Sequence, residues 1–192
     1  ILSALRKKVD FDNCGIELLP SLLDKKVLSG LSDAGITKMS MGVQTFSEDI
    51  IHKTGRKYIL QNQTETIVKQ AQDSGIWVSL DMMVGLDNQT TEQFQQDIQE
   101  IIRISPDQLA IYPIVQIKGV DYGMAHSIPS IEQYHLIESA HDAMIQAGYH
   151  RNTAWIFSRS KEDVYDSSGS EMGMEYIGYG AGAYSVNGRW KK

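Results

Sequence analysis

The sequence predicts an α/β fold in which short parallel strands alternate with amphipathic helices. Three observations carry the prediction. Apolar runs at 36–43, 76–84 and 108–114 are strand-length and bounded by turn residues. Helical patterns fill the gaps between them, long enough for the crossover that a parallel βαβ unit needs. Glycines close the helical patterns just before the next strand, at Gly35 and Gly75.

Taken in order, residues 11–19 form a short apolar run ended by Pro20, with Glu17 between Ile16 and Leu18. Ser21 is expected to open a helix whose apolar positions are Leu23, Val27, Leu31 and Ala34. The strand 36–43 follows and runs into Gln44, with a short helix from Glu48 to Lys53 and then Gly55-Arg56. Thr64 is expected to open the next helix, with Ile67, Val68 and Ala71 on one face. The strand 76–84 is nearly all apolar apart from Ser79 and Asp81, as expected of a parallel strand covered on both faces. Gly85-Leu-Asp-Asn reads as a turn, and Thr90 with Gln93 as a capping box. The stripe Phe94, Ile98, Ile101, Ile102 marks that helix as core-facing, and 108–114 is a further buried strand.

These strands, with the one around Ile16, make four, too few to close a barrel. After a Gly-containing loop at 115–129, Ser130 and Gln133 suggest a second capping box. The helix that follows carries Tyr134, Ile137, His141, Met144 and Ile145. Two strands are expected at 149–157 and 176–186, with a polar loop between them.

Composition narrows the function classes. A chain of 192 residues makes one domain of ordinary size with a real core. A net charge of −6 argues against a nucleic-acid or anionic-membrane surface. No apolar run approaches the roughly 20 residues of a membrane span, and no signal-peptide pattern is present. One cysteine, Cys14, rules out an intrachain disulfide, and it reads as a small buried hydrophobe. A cytoplasmic enzyme or binding protein is expected. The chain opens on Ile1 ahead of a basic helical segment at 4–8, so it reads as a fragment of a longer protein.

Three polar residues interrupt or end apolar strands: Glu17, Gln44 and Asp81. An acid among buried apolar residues is costly unless paired, by roughly several kcal/mol. Each acid therefore calls for a partner, and Arg56, just past the strand that ends at Gln44, could pair with either. Strand ends are where α/β folds hold ligands. A register-fixing ion pair explains the two acids equally well, and a strand cap explains Gln44.

Gly178-Tyr-Gly-Ala-Gly182 lacks both the lysine of a phosphate loop and a following helix, so its glycines read as turns. The five histidines show no metal-ligand spacing. His141 reads as a core histidine, and Trp77, Trp155 and Trp190 as packing residues. No Gly-x-Ser-x-Gly elbow is present.

The run Ser40-Met-Gly-Val-Gln-Thr-Phe46, then Gly55-Arg56, then 79–86 with Gln89-Thr90, resembles the oxygen-independent coproporphyrinogen III oxidases and their haem-chaperone relatives. These belong to the radical S-adenosylmethionine family. Residues 15–20 resemble that family's glutamate strand, 109–113 its next barrel strand, and 148–149, 157–159 and 175–183 its C-terminal region. The spacing of Gln44, Arg56 and Asp81 makes the match specific.

The resemblance implies a partial (βα)6 radical SAM (TIM-like) barrel with a C-terminal α+β extension. Residues 1–115 would be the C-terminal part of the barrel and 116–192 the extension. By motif match, Glu17, Gln44, Arg56 and Asp81 would contact S-adenosylmethionine. Val115 and Tyr184 would fall where the oxidases contact a second molecule of it. Carboxylates suit an ammonium and ribose hydroxyls, and an arginine fork suits a carboxylate.

A 4Fe-4S cluster is implied too, but the family's Cys-x3-Cys-x2-Cys motif is not in this chain, so its ligands are expected upstream. The implied substrate is a tetrapyrrole, a porphyrinogen or haem, and the implied electron donor is a flavodoxin or ferredoxin. The oxidase reading is oxidative decarboxylation of propionates in haem biosynthesis. The alternatives are a haem chaperone or a haem-modifying relative. The chaperone branch carries His-Asn and Tyr-Trp in its tail, where this chain has residues 166–175 without them.

Overall fold

The computed structural model describes residue 4 and residues 6–8, 13–53, 61–114, 130–161, 175–180 and 185–186. Four strands, β1 (Gly15–Leu18), β2 (Lys38–Gln44), β3 (Trp77–Val84) and β4 (Gln108–Pro113), lie side by side in chain order and pair in parallel. Between them run α1 (Lys25–Asp33), α2 (Glu48–Lys53), α3 (Gln61–Asp73) and α4 (Thr91–Ile104). Consecutive strand order is the winding of a βα barrel, in which every crossover passes over the same face.

The core bears this out. Met39, Met41, Val78, Leu80, Leu109 and Ile111 of the strands share one cluster with Leu28, Val68, Phe94 and Ile101 of the helices. These strand residues alternate along the chain, so they line a single face. The sheet does not close among the described residues, and the architecture is that of a partial barrel.

Several expected elements move. The first helix starts at Lys25, because Asp24 caps it by accepting from the Val27 N–H at 2.8 Å, and Pro20–Leu22 form a separate 3-10 turn. Val27, expected on the apolar face, is exposed, and Leu28 is buried in its place. The helix α3 begins at Gln61, which leaves Thr64 buried inside it rather than at its start. The capping box on α4 is present as expected: Gln93 N–H donates to Thr90 Oγ1, and Thr90 N–H to Gln93 Oε1. Cys14 is half-buried and not a core residue.

Beyond β4, α5 (Ser130–Gln146) packs Leu136, Ile137, Ala140 and Met144 into the main core. Tyr134 and Ile145, expected in that stripe, are exposed, and His141 is half-exposed with Nδ1 3.0 Å from Asp142 Oδ1. Whether Ser130 caps the helix falls outside the described side chains. The expected strand at 149–157 is a hairpin of β5 (His150–Arg151) and β6 (Ile156–Ser158), and β6 pairs antiparallel with β4. Of the expected strand at 176–186, the described residues show an antiparallel bridge between Tyr176 and Val186, and 181–184 lie outside them. Trp77 and Trp155 are partly buried, as expected of packing residues, and Trp190 lies outside the described residues. No described helix is long and apolar enough to cross a membrane.

Candidate functional site

The register of the parallel strands sets one polar row across the sheet. Glu17 pairs with Ser40, Ser40 with Ser79, and Ser79 with Gln108, so all four side chains share the face opposite the helices. Asp81 lies two residues beyond Ser79 on that face, beside Gly42. The strand is covered on both faces, as expected, with Val78, Ser79 and Leu80 all buried. The cover on the inner face is polar, and the interruptions at Ser79 and Asp81 are its signature.

Asp81 is the hub of the row. Ser40 donates its hydroxyl to Oδ2 at 2.7 Å, and Ser79 is 3.5 Å from Oδ1. Gln108 Nε2 donates to Ser79 Oγ at 3.0 Å, which leaves the serine hydroxyl proton to face the carboxylate. Burial pushes the Asp81 carboxyl up to about 6, the Glu17 charge adds to that rise, and the two serine hydroxyls pull it back. Among the described residues no cation pairs with it. Two hydroxyls compensate a carboxylate only partly, so the site favours a positively charged or proton-donating ligand.

Glu17 is placed differently from expectation. It is exposed on the edge strand β1 and not surrounded by apolar side chains, so the desolvation argument applies to Asp81 and not to it. Its charge nevertheless reaches Asp81. The structure thus brings Glu17, Ser40, Ser79 and Asp81 together.

Gln44 ends β2 with φ +70°, a left-handed value uncommon outside glycine. The Thr45 N–H donates back to Val43 O at 2.9 Å, closing a three-residue turn around Gln44. The register slips there, so that Gln44 pairs with Met82 rather than continuing the alternation from Gly42. Its side chain is buried, and no hydrogen bond to its carboxamide occurs among the described residues. Such backbone conformations persist where the surroundings over-determine them, and they gather at ligand sites. Arg56, Val115 and Tyr184 lie outside the described residues.

The next strand end is tied down by a residue with no assigned role in the sequence reading. Gln89 Oε1 accepts from Gly85 N–H at 2.9 Å and Leu86 N–H at 3.3 Å, while its Nε2 donates to Met83 O at 3.2 Å. Gly85 has φ +93°, and a Cβ there would stand 2.5 Å from Gln133 Cδ. Glycine is therefore required where α5 meets the end of β3.

A singly wound βα sheet, its helices outside and a carboxylate–hydroxyl network inside, defines the class: part of an α/β barrel. The chain belongs to the radical SAM superfamily, whose family model matches residues 1–101. Its relatives include a protein of Bacillus subtilis named heme chaperone HemW, 28% identical over 96% of this chain and 50% of that protein. An oxygen-independent coproporphyrinogen III oxidase of Helicobacter pylori is 27% identical over 85% of this chain and 37% of that protein. Among solved structures, coproporphyrinogen III oxidase (HemN) from Escherichia coli, a radical SAM enzyme, superimposes with a TM-score of 0.80. That match covers 97% of this chain and 48% of the other at 20% identity, a likeness of fold. The chain spans about half the length, or less, of the curated relatives it matches.

Proposed function

We propose that this chain is the S-adenosylmethionine-holding part of a radical SAM protein that acts on a tetrapyrrole, with Glu17, Gln44, Arg56 and Asp81 as the cofactor contacts. The observation that carries the reading is the half-buried Asp81 carboxylate, held by hydroxyl donors and lacking a cation among the described residues. The cofactor carries a sulfonium, an ammonium and ribose hydroxyls; a carboxylate accepts hydrogen bonds from the ammonium and the hydroxyls and attracts the sulfonium charge. Glu17 adds negative charge to the same face, and the Gln44 carboxamide, with no hydrogen bond among the described residues, can donate or accept at the strand end. Arg56 supplies the fork for the cofactor's own carboxylate. Val115 is assigned to a second molecule of the cofactor by its motif position.

When bound beside a reduced 4Fe-4S cluster, S-adenosylmethionine supplies the one-electron chemistry of this superfamily. This chain has a single cysteine, so three cluster thiolates do not come from it. Cluster ligands, an electron donor such as flavodoxin or ferredoxin, and a cytoplasmic setting are parts of the proposal that belong to the whole protein. The proposed division puts the barrel part at 1–115 and the family-specific extension at 116–192. In support, among the described residues β4 is the last strand paired in parallel, and β5 and β6, which follow it, pair antiparallel.

We assign the full-length protein to oxidative decarboxylation of a porphyrinogen, as in the oxidases. A haem chaperone is the second reading, favoured by the greater share of this chain that the chaperone relative covers, 96% against 85%. The test is the full-length protein, reconstituted anaerobically and given coproporphyrinogen. Decarboxylated porphyrinogen supports the oxidase. Tight haem binding without decarboxylation supports the chaperone. For the site, Asp81→Asn is expected to weaken S-adenosylmethionine binding about tenfold or more, measured by equilibrium dialysis. Unchanged affinity in a folded variant removes Asp81 from the site.

A further inference from the structure

Asp97 lies on the buried stripe of α4, between Phe94 and Ile98, where an apolar side chain would pack without penalty. Its carboxylate is spent on two bonds. Thr45 Oγ1–H donates to Oδ2 at 2.6 Å, and the Phe46 N–H donates to Oδ1 at 2.9 Å. Both donors belong to the two residues that follow Gln44. Thr45 Oγ1 also accepts from the Ser47 N–H at 3.0 Å, so one hydroxyl ties the turn to the carboxylate and to the start of α2. The Thr45 N–H is already committed to Val43 O. Together these bonds use up the donors on both residues after the strained position. They leave the chain no relaxed alternative at Gln44 without breaking charge-assisted bonds in a buried site.

We propose that Asp97 is a positioning residue: by clamping Thr45 and Phe46 it holds the left-handed turn that presents Gln44 at the strand-end rim. The proposal rests on the reading that Gln44 contacts S-adenosylmethionine. A buried carboxylate is an expensive way to join a helix to a loop, and apolar packing joins the same elements elsewhere in this core. Bonds aimed at two consecutive residues fix a backbone conformation, which packing alone fixes poorly. Burial pushes the Asp97 carboxyl up to about 6, with the Glu100 charge adding and the Thr45 and Phe46 donors opposing.

The test is a double-mutant cycle in the full-length protein, read as equilibrium affinity for S-adenosylmethionine. Gln44→Ala is expected to weaken binding about tenfold, Asp97→Asn about fivefold, and the pair little more than Gln44→Ala alone. A residue that only supports the fold would weaken the double variant by the product of the two. Thr45→Val reads the same clamp from its other end and is expected to match Asp97→Asn, with Thr45→Ser restoring affinity. Unchanged affinity in Gln44→Ala overturns the cofactor reading and the proposal with it. Weakened Gln44→Ala beside additive losses, or beside a folded Thr45→Val with full affinity, overturns only the positioning role.

Discussion

On the helix-covered face of the sheet, Met39, Met41, Leu80 and Leu109 are fully shielded by apolar neighbours. On the opposite face the same strands carry Ser40, Ser79 and Gln108, no less buried, and the half-buried Asp81. The first face is held by area removed from water, which is non-directional and tolerant of exchange. The second is held by a directional network whose hub has its charge only partly compensated. One face stabilises the fold, and the other spends some of that stability on a poised carboxylate.

Truncation should separate the faces most sharply. Leu80→Ala, on the helix side, is expected to lose about 2–5 kcal/mol, through lost transfer energy and the cavity left behind. Its neighbour Ser79→Ala is expected to lose about 1 kcal/mol, because one small hydroxyl and two bonds go. It should also raise the Asp81 carboxyl further, because a donor to the charged form disappears. Denaturant unfolding at pH 7 measures both losses, and equal ones would erase the contrast.

The polar face should also make stability depend on pH. The Asp81 carboxyl is raised from 3.8 to about 6, and Asp97 likewise. The folded chain therefore holds these protons more tightly than the unfolded chain. Their contribution is complete below about pH 4 and is lost as pH rises toward 6, by about 1–3 kcal/mol for each carboxyl. Asp81→Asn is expected to flatten its share of that slope in thermal melts between pH 4 and 7. A slope unchanged by this variant would mean that Asp81 does not carry the shift.

The smallest expected effect concerns the strand end. Gln44→Gly accepts φ +70° without strain, at the expense of more freedom in the unfolded chain. The two effects leave a net gain of roughly 0.5–1 kcal/mol in stability, alongside loss of cofactor affinity. A loss of stability would show that the Gln44 side chain is itself part of what holds the rim together.

Much of this was legible in residues alone. The strands β2, β3 and β4 fall within two residues of expectation, because apolar runs of that length between turn residues have few other uses. The capping box at Thr90 and Gln93 was readable because both partners are local in sequence. The start of α1 was not, because Ser21 and Asp24 are both good caps and only packing chooses between them. The role of Asp97 had a signal: an acid inside the apolar stripe Phe94, Ile98, Ile101. Its partners, Thr45 and Phe46, are about fifty residues away, and nothing local names them.

The sequence by itself determined the alternation of strand and helix, the family, and Asp81 and Gln44 as the residues to watch. Periodicity and motif spacing are properties of neighbours along the chain, and the chain order displays them. Only the tertiary structure decided that Glu17 is exposed, that Ser40, Ser79 and Gln108 converge around Asp81, and that Gln44 sits in a strained turn clamped from a helix. Those facts depend on register between strands and on which helix lies over which strand end. Register is set by how the whole core packs, so no local stretch of residues encodes it.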